Sequence, residues 1–265
     1  MATFGFIGMG NMGYAILKGV LKEYAPEEVL FSDGNVERVE AVTAETGVPS
    51  ADSNAACVSK TKYVILAVKP QQYDTVQKSI VNILTPEHVV ISIAPGITIA
   101  ELKRNLGIDR RVVRAMPNTP ALIGEGMTGA CYDPECFTAG EQEIIKRFFE
   151  SFGKVRFVDE KLMDAVVCAS GSSPAYVYLF IEALADSVVK QGMPRDIAYE
   201  MAAQTVAGSA RLFLESGEHP GKLKDQVCSP GGTTIAAVAA LEEHGFRNAV
   251  IKAGDACYAA CKKFS

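Results

Sequence analysis

The stretch TFGFIGMGNMG, Thr3 to Gly13, decides how this chain begins to fold. Thr3 to Gly8 reads as a β-strand, and Met12, Ala15, Ile16, Gly19 and Val20 then recur at the spacing of one helix face. Gly8, Gly10 and Gly13 stand at the junction in the pattern Gly-x-Gly-x-x-Gly. That pattern is weak in isolation, but between a strand and a helix it marks a dinucleotide-binding turn. Gly8 permits the tight turn, Gly10 lets a pyrophosphate reach the backbone, and Gly13 allows close helix–strand packing. The helix start adds free N–H groups and the positive end of its dipole. A tight turn with no ligand is the plainer alternative, and the strand–helix context argues against it.

Working outward, EVLFS, YVILAV, HVVISI and RRVVRAM follow as short runs apolar enough to be buried on both faces, separated by helical stretches. Such an alternation predicts a Rossmann-type α/β domain, a doubly wound and mostly parallel sheet. GMTGACY and KVRFVD read as extra edge strands around the helix that contains EQEIIKRFFESF. Beyond Asp159 no further strand is evident, and helical runs break at SGSSP, QGMP, SGEHPG, CSPGG and HGF. We therefore expect a dinucleotide-binding domain over residues 1–159 and an all-helical domain over 160–265. The helix near 175–190 is apolar almost all the way round, which favours a homodimer through the helical domain over burial within one chain.

Composition excludes some classes. A net charge of −5 leaves no basic footprint for nucleic acid. The most apolar run, SSPAYVYLFIEALADSVVK, is broken by Glu182 and Asp186, so no membrane segment is expected. The start MATFGFIGMG lacks the features of a secretory signal, and seven cysteines without a Cys-x-x-Cys pair suit a cytoplasmic protein with free thiols. His88, His219 and His244 lie far apart, and no metal site is expected.

The identity of the dinucleotide stays open at this level. Asp33 lies 20 residues after Gly13, where an acid grips the ribose 2′-hydroxyl of NADH. Ser32, Asn35 and Arg38 could instead serve the 2′-phosphate of NADPH. Ala67, Val68, Lys69 and Pro70 follow a strand at the sheet edge where ligands bind, though Lys69 could equally be a solvated loop lysine. SIAPG, with Pro95, and RAMPNTP, with Asn118, end two further strands on that edge. Asn118 is a turn former or a polar contact to nicotinamide or substrate.

GFIGMGNMG, ILAVKPQ, RAMPNTP, ASGSSPAYVY and VCSPGGTTIAAVAALE occur here in the order, and at about the spacing, of the pyrroline-5-carboxylate reductase family. The resemblance spans nearly the whole chain, and the last motif is its most specific part. It implies reduction of the C=N bond of 1-pyrroline-5-carboxylate to L-proline by NADPH or NADH, the last step of proline biosynthesis. It also implies dimers through helical C-terminal domains, commonly assembled further into decamers. Carried over by position, it implies cofactor contacts at Ile7, Gly8, Met9, Gly10, Asn11, Met12, Ser32, Asn54, Val68, Lys69 and Pro95, and substrate contacts at Glu160, Gly232, Thr233 and Thr234. Asp33, directly after Ser32, departs from a pattern suited to a 2′-phosphate.

SPGGTT, Ser229 to Thr234, opens a helical run with a proline, two glycines and two hydroxyls. Convergent N–H donors at Gly231, Gly232 and Thr233 would suit a small carboxylate, with Ser229 as a cap or a further donor. Thr234 would then act catalytically, offering its hydroxyl to the ring nitrogen as hydride arrives. An imine that binds already protonated removes the need for a strong acid. A bare loop and N-cap is the alternative. Glu160 reads equally as a solvated cap, and Cys257 with Cys261 reads as core packing on one helix face. A β-hydroxyacid dehydrogenase is the nearest rival, but that chemistry needs a base, and Gly171 to Phe180 contains no lysine. Another cyclic imine reductase and a non-catalytic dinucleotide sensor are the further readings.

Overall fold

The structure, a computed structural model, describes residues 2–262. Strands β1 (Ala2–Ile7), β2 (Val29–Ser32), β3 (Thr61–Leu66), β4 (Val89–Ser92), β5 (Arg111–Met116), β6 (Gly126–Cys131) and β7 (Gly153–Phe157) form one sheet in the order β2-β1-β3-β4-β5-β6-β7. The first five are mutually parallel, β6 runs antiparallel to β5, and β7 is parallel to β6. The expected α/β class is found; GMTGACY and KVRFVD do extend the sheet as β6 and β7, but β6 is paired on both sides and, of the two, only β7 is an edge.

The strands from β1 to β5 sit inside because their residues are largely apolar in both directions. On one face Phe4, Phe6, Tyr63, Ile65, Val89 and Ile91 meet helices α1 (Asn11–Val20) and α6 (Ala139–Glu150). On the other, Ile7, Val64, Leu66, Val90 and Val112 meet α3 (Asn54–Ser59), α4 (Tyr73–Ile80) and α5 (Ile99–Leu106). Helix α2 (Val36–Thr46) adds Val42 to the first face. Side-chain caps fix the entries: Asn35 accepts from the Arg38 amide, Ser53 from that of Ala56, and Thr98 from that of Glu101.

The strand order places the site. β1 is followed in space by β2 on one side and β3 on the other. That reversal makes a topological switch point, and the crevice beyond the carboxyl ends of β1 and β3 is where such sheets take ligands. After β7 come α7 (Met163–Val166), which continues as a π-helical turn at Val167–Gly171, then α8 (Ser173–Val189), α9 (Arg195–Ser216), α10 (Pro220–Val227), α11 (Thr233–Glu243) and α12 (Phe246–Cys261). As expected, no described residue beyond β7 is in a strand.

Two compact units result. The first holds residues up to 172 together with those from 257 onward, and the second holds 173–256. Within the second, Ala185, Ala198 and Ala202 form the buried cluster, lined by half-buried Ile181, Leu184, Val188, Val189 and Met193. Three alanines are a small core for five helical segments. Meanwhile Tyr178, Leu179 and Leu214 are 60%, 65% and 62% exposed. No described helix is long and apolar enough to cross a membrane.

Candidate functional site: a dinucleotide cleft and an uncapped helix start

Each glycine of the opening motif has its own physical requirement. Gly8 sits at φ +94°, in the left-handed region, and a Cβ there would lie 2.6 Å from Val68 Cγ1 and 2.8 Å from the Ala67 carbonyl oxygen. At Gly13 a Cβ would come within 2.5 Å of the Gly8 carbonyl oxygen. Gly10 differs. A Cβ there would meet nothing within 4 Å, so the protein's own packing does not demand a glycine. The missing side chain leaves the start of α1 open to an outside group.

That group has room. A cleft of about 630 Å³ lies over the switch point, lined by Ile7, Gly8, Gly10, Ser32, Asp33, Asn54, Ala67, Val68 and Lys69 among others. Nine of the residues expected at the cofactor therefore converge on one cavity. Met9 is fully buried beneath the turn, and Asn11 and Met12 open α1, outside the cavity lining. Pro70 begins a short 3-10 turn, Pro70–Gln72, next to the cleft. Pro95, after β4, is exposed, and neither it nor Asn118 lines the cavity.

The end of β2 braces the glycine turn. Asp33 accepts the Met9 N–H through Oδ2 at 2.6 Å and the Asn35 N–H through Oδ1 at 2.9 Å. Arg38 donates from Nε to the Met9 carbonyl at 2.7 Å and lies over the Tyr14 ring at 4.5 Å. The Met9 peptide is thus held from both sides, by an anion and by a cation. Ser32 donates to Asn54 Oδ1 at 2.8 Å, and Asn54 donates in turn to Ser79 Oγ at 3.2 Å. Asp52, Ser53, Gln72 and Ser79 complete the polar wall. Sequence reasoning missed these four; only the Ser53 N-cap signature ahead of α3 was there to find.

Asn118 spends both ends of its amide on protein backbone. It accepts from the Met127 N–H at 2.8 Å and donates to the Ser170 carbonyl at 3.0 Å, tying the start of β6 to the π-helical turn. Glu160 caps a helix other than its own. Its Oε1 accepts from the Ile99 N–H at 2.8 Å, at the N-terminus of α5, and pairs with Arg114 Nη1 at 3.1 Å. Arg114 is buried, 4% exposed, and also lies 3.9 Å from Asp164. The Glu160 carboxylate therefore compensates a buried cation as well as a helix dipole.

In the second unit, SPGGTT does open a helix. Gly232 is the N-cap of α11, and no side chain caps it. Ser229 instead turns the chain, its carbonyl accepting the Gly232 N–H at 3.0 Å. Gly231 takes φ +68°, and a Cβ on Gly232 would lie 2.4 Å from Ser229 Oγ. The backbone demands a glycine at Gly231, whereas the Gly232 contact is one that rotation of the Ser229 hydroxyl relieves. As N-cap, Gly232 offers the first turn of α11 no side-chain acceptor. Thr233 is exposed and Thr234 half-buried behind it. Pro174 falls in the first turn of α8, as its fixed φ favours.

Comparison with known proteins bears on the family and the fold. A family model described as pyrroline-5-carboxylate reductase dimerisation matches residues 160–264. A second, described as NADP oxidoreductase coenzyme F420-dependent, matches residues 3–96. The pyrroline-5-carboxylate reductase of Escherichia coli strain K12 is 45% identical over 264 residues, 98% of this chain and 97% of that protein. Among solved structures, a pyrroline-5-carboxylate reductase from Coxiella burnetii superposes with a TM-score of 0.92 at 32% identity, covering 100% of this chain and 98% of that one. A Plasmodium falciparum pyrroline carboxylate reductase solved with NADP bound gives 0.89 at 30% identity, covering 99% and 98%. The resemblance read from the sequence holds over the length of the molecule, and the chain belongs to the pyrroline-5-carboxylate reductase family.

Proposed function

We propose that this chain reduces the C=N bond of 1-pyrroline-5-carboxylate to L-proline, with NADPH or NADH as hydride donor, at the end of proline biosynthesis. The observation that carries the reading is the start of α11. There Gly231 and Gly232 leave backbone amides uncapped, directly ahead of two threonine hydroxyls. A sensor that only bound a dinucleotide would have no use for it.

The residues divide the work. Gly8, Gly10 and the first turn of α1 hold the pyrophosphate, Ser32, Asp33 and Asn54 the adenosine ribose, and Val68 and Lys69 the cleft wall. Bound there, the cofactor supplies the hydride. The amides at Gly232 and Thr233 hold the substrate carboxylate, and Thr234 keeps a hydrogen bond on the ring nitrogen while its bond to carbon loses double-bond character. One hydride and one proton are added across the C=N bond, whose π component is lost while every σ bond of the ring is kept. Most of the acceleration then comes from orientation in a dry site. Residues 160–265 act as substrate-binding and dimerisation domain, supported by the sparse core of α8 and α9 and by their exposed apolar side chains. Assembly to a decamer and a cytoplasmic location complete the proposal; the seven cysteines, none in a disulfide, support the latter.

A substrate panel tests it. Pyrroline-5-carboxylate, its six-membered-ring homologue and a β-hydroxyacid are offered with each cofactor, and cofactor turnover is followed. Turnover confined to the five-membered imine supports the proposal. Turnover of the larger ring alone would reassign the substrate, turnover of the hydroxyacid the chemistry, and tight cofactor binding with no turnover would leave a sensor.

A further inference from the structure

Three of the seven cysteines converge in the first unit. Cys257 and Cys261 lie one turn apart on the same face of α12, and Cys168 stands in the π-helical turn Val167–Gly171. Their three sulfurs lie within 4.8 Å of one another. Cys57 and Cys131 are buried singly in the sheet domain, and neither is part of such a cluster. We propose that Cys168, Cys257 and Cys261 form a three-thiolate site for a thiophilic divalent cation of the Zn²⁺ or Cd²⁺ type.

Geometry favours it. With metal–sulfur bonds of about 2.3 Å, sulfurs around a tetrahedral or trigonal ion sit roughly 3.8–4.0 Å apart. The three thiols already lie within about 1 Å of that arrangement, so side-chain rotation closes it. All three are half-buried, so the cluster is not sealed from solvent. Two elements hold the set: the helix fixes the spacing of one pair, and the π turn delivers the third. The thiols also have local acceptors. Cys168 Sγ donates to the Asp164 carbonyl at 3.3 Å, and Cys257 Sγ to Ser172 Oγ at 3.4 Å. Binding exchanges three S–H protons for one divalent ion, leaving a net charge of −1 on the complex. Lys262, next in sequence to Cys261, pairs with Asp164 at 2.7 Å and so neutralises the carboxylate nearest the cluster.

A disulfide is the competing fate of close thiols. All three are free thiols in the structure, and a coordinating cation takes their protons and holds the three sulfurs at once. One disulfide would also leave the third thiol stranded in the cluster.

The test uses the reduced full-length protein, desalted under argon and titrated with Cd²⁺ while ultraviolet sulfur-to-cadmium charge transfer is recorded. One equivalent should bind per chain. Cys168→Ser, Cys257→Ser and Cys261→Ser should each remove about a third of the band and weaken binding about tenfold or more, whereas Cys136→Ser, at an exposed cysteine outside the cluster, should leave it unchanged. A second measurement needs no variant: Zn²⁺ should protect these three cysteines, and not Cys136, from N-ethylmaleimide in peptide mapping. A band indifferent to all three substitutions, absence of stoichiometric binding, or alkylation unaffected by Zn²⁺ would overturn the site. So would peptide mapping of a disulfide between two of the three in protein purified without reductant.

Discussion

Replacing Gly10 with alanine separates what the glycine turn does for the fold from what it does for a ligand. Gly10 has φ −67° and ψ −171°, which alanine adopts without strain, and its Cβ would meet no atom within 4 Å. Reduced freedom of the unfolded chain stabilises by about 0.4–1 kcal/mol. Loss of a glycine at the N-cap of α1 costs about as much. Stability should therefore stay within about 0.5 kcal/mol, or about 2 °C in Tm. Cofactor binding should not survive so well. A methyl group on this surface would push a phosphate oxygen about 1 Å off the amides, and each charged hydrogen bond lost is worth about 1.5–3 kcal/mol, a weakening of roughly ten- to a hundredfold. Gly8→Ala reverses the pattern. Left-handed φ costs about 1–2 kcal/mol, and contacts of 2.6 Å to Val68 and 2.8 Å to Ala67 add about 1–3 kcal/mol, lowering Tm by about 5–15 °C. Thermal melts and titration of nicotinamide fluorescence read both effects. A Gly10→Ala protein that binds both cofactors as tightly as its parent would refute the reasoning, as would a Gly8→Ala protein with an unchanged melt.

Asp33 has two tasks, and Asp33→Ala should reveal them together. Losing its bond to Met9 should weaken both cofactors, while loss of its charge should raise the ratio of kcat/KM for NADPH over NADH by roughly fivefold to tenfold, from about 1 kcal/mol of repulsion removed at the 2′-phosphate; a constant ratio would confine Asp33 to bracing the turn. Thr234→Ala should lower kcat about ten- to a hundredfold with cofactor affinity and Tm unchanged, and equal kcat values would remove Thr234 from the chemistry. Burial of the Glu141 carboxyl opposes its ionisation, but Lys62, the Thr138 backbone and Arg111 outweigh that and hold its pKa at about 2. Because the folded value lies below the ordinary 4.5, the stabilisation is complete above that pH and disappears as pH falls towards 2. After allowance for screening at the partly exposed Lys62, this is worth about 1–2 kcal/mol. Acid melts should show Glu141→Gln less stable than the parent at neutral pH and the two converging near the acid end; parallel curves would show that the network does not contribute.

Much of the sheet was legible because its signal is local. A strand buried on both faces needs apolar residues at consecutive positions, and YVILAV supplies Tyr63 and Ile65 to one core and Val64 and Leu66 to the other. The glycine turn was legible because backbone sterics act over a few residues. Long-range pairing was not. Nothing around Gly126 announces that β6 runs antiparallel to β5, since that choice depends on how the 3-10 turn Thr119–Ile123 redirects the chain. The same limit hid the Ser32–Asn54–Ser79 hydrogen-bond chain and the hold of Asp33 on Met9, which join residues more than 20 positions apart. Asn118 could be read as turn former or ligand contact, but its partner Ser170 is 52 residues away. Cys257 and Cys261 showed their helical spacing in the sequence; Cys168 joins them only in the fold.

The most direct measurement follows the hydride itself. NADPH or NADH carrying deuterium at the transferable position of the nicotinamide is turned over with unlabelled pyrroline-5-carboxylate, and the proline formed is analysed by mass spectrometry and NMR. The account predicts one deuterium per proline, on the carbon that was double-bonded to nitrogen, with proline formed in step with cofactor oxidised. Unlabelled proline, or no proline from a protein that holds the cofactor in its cleft, would contradict it.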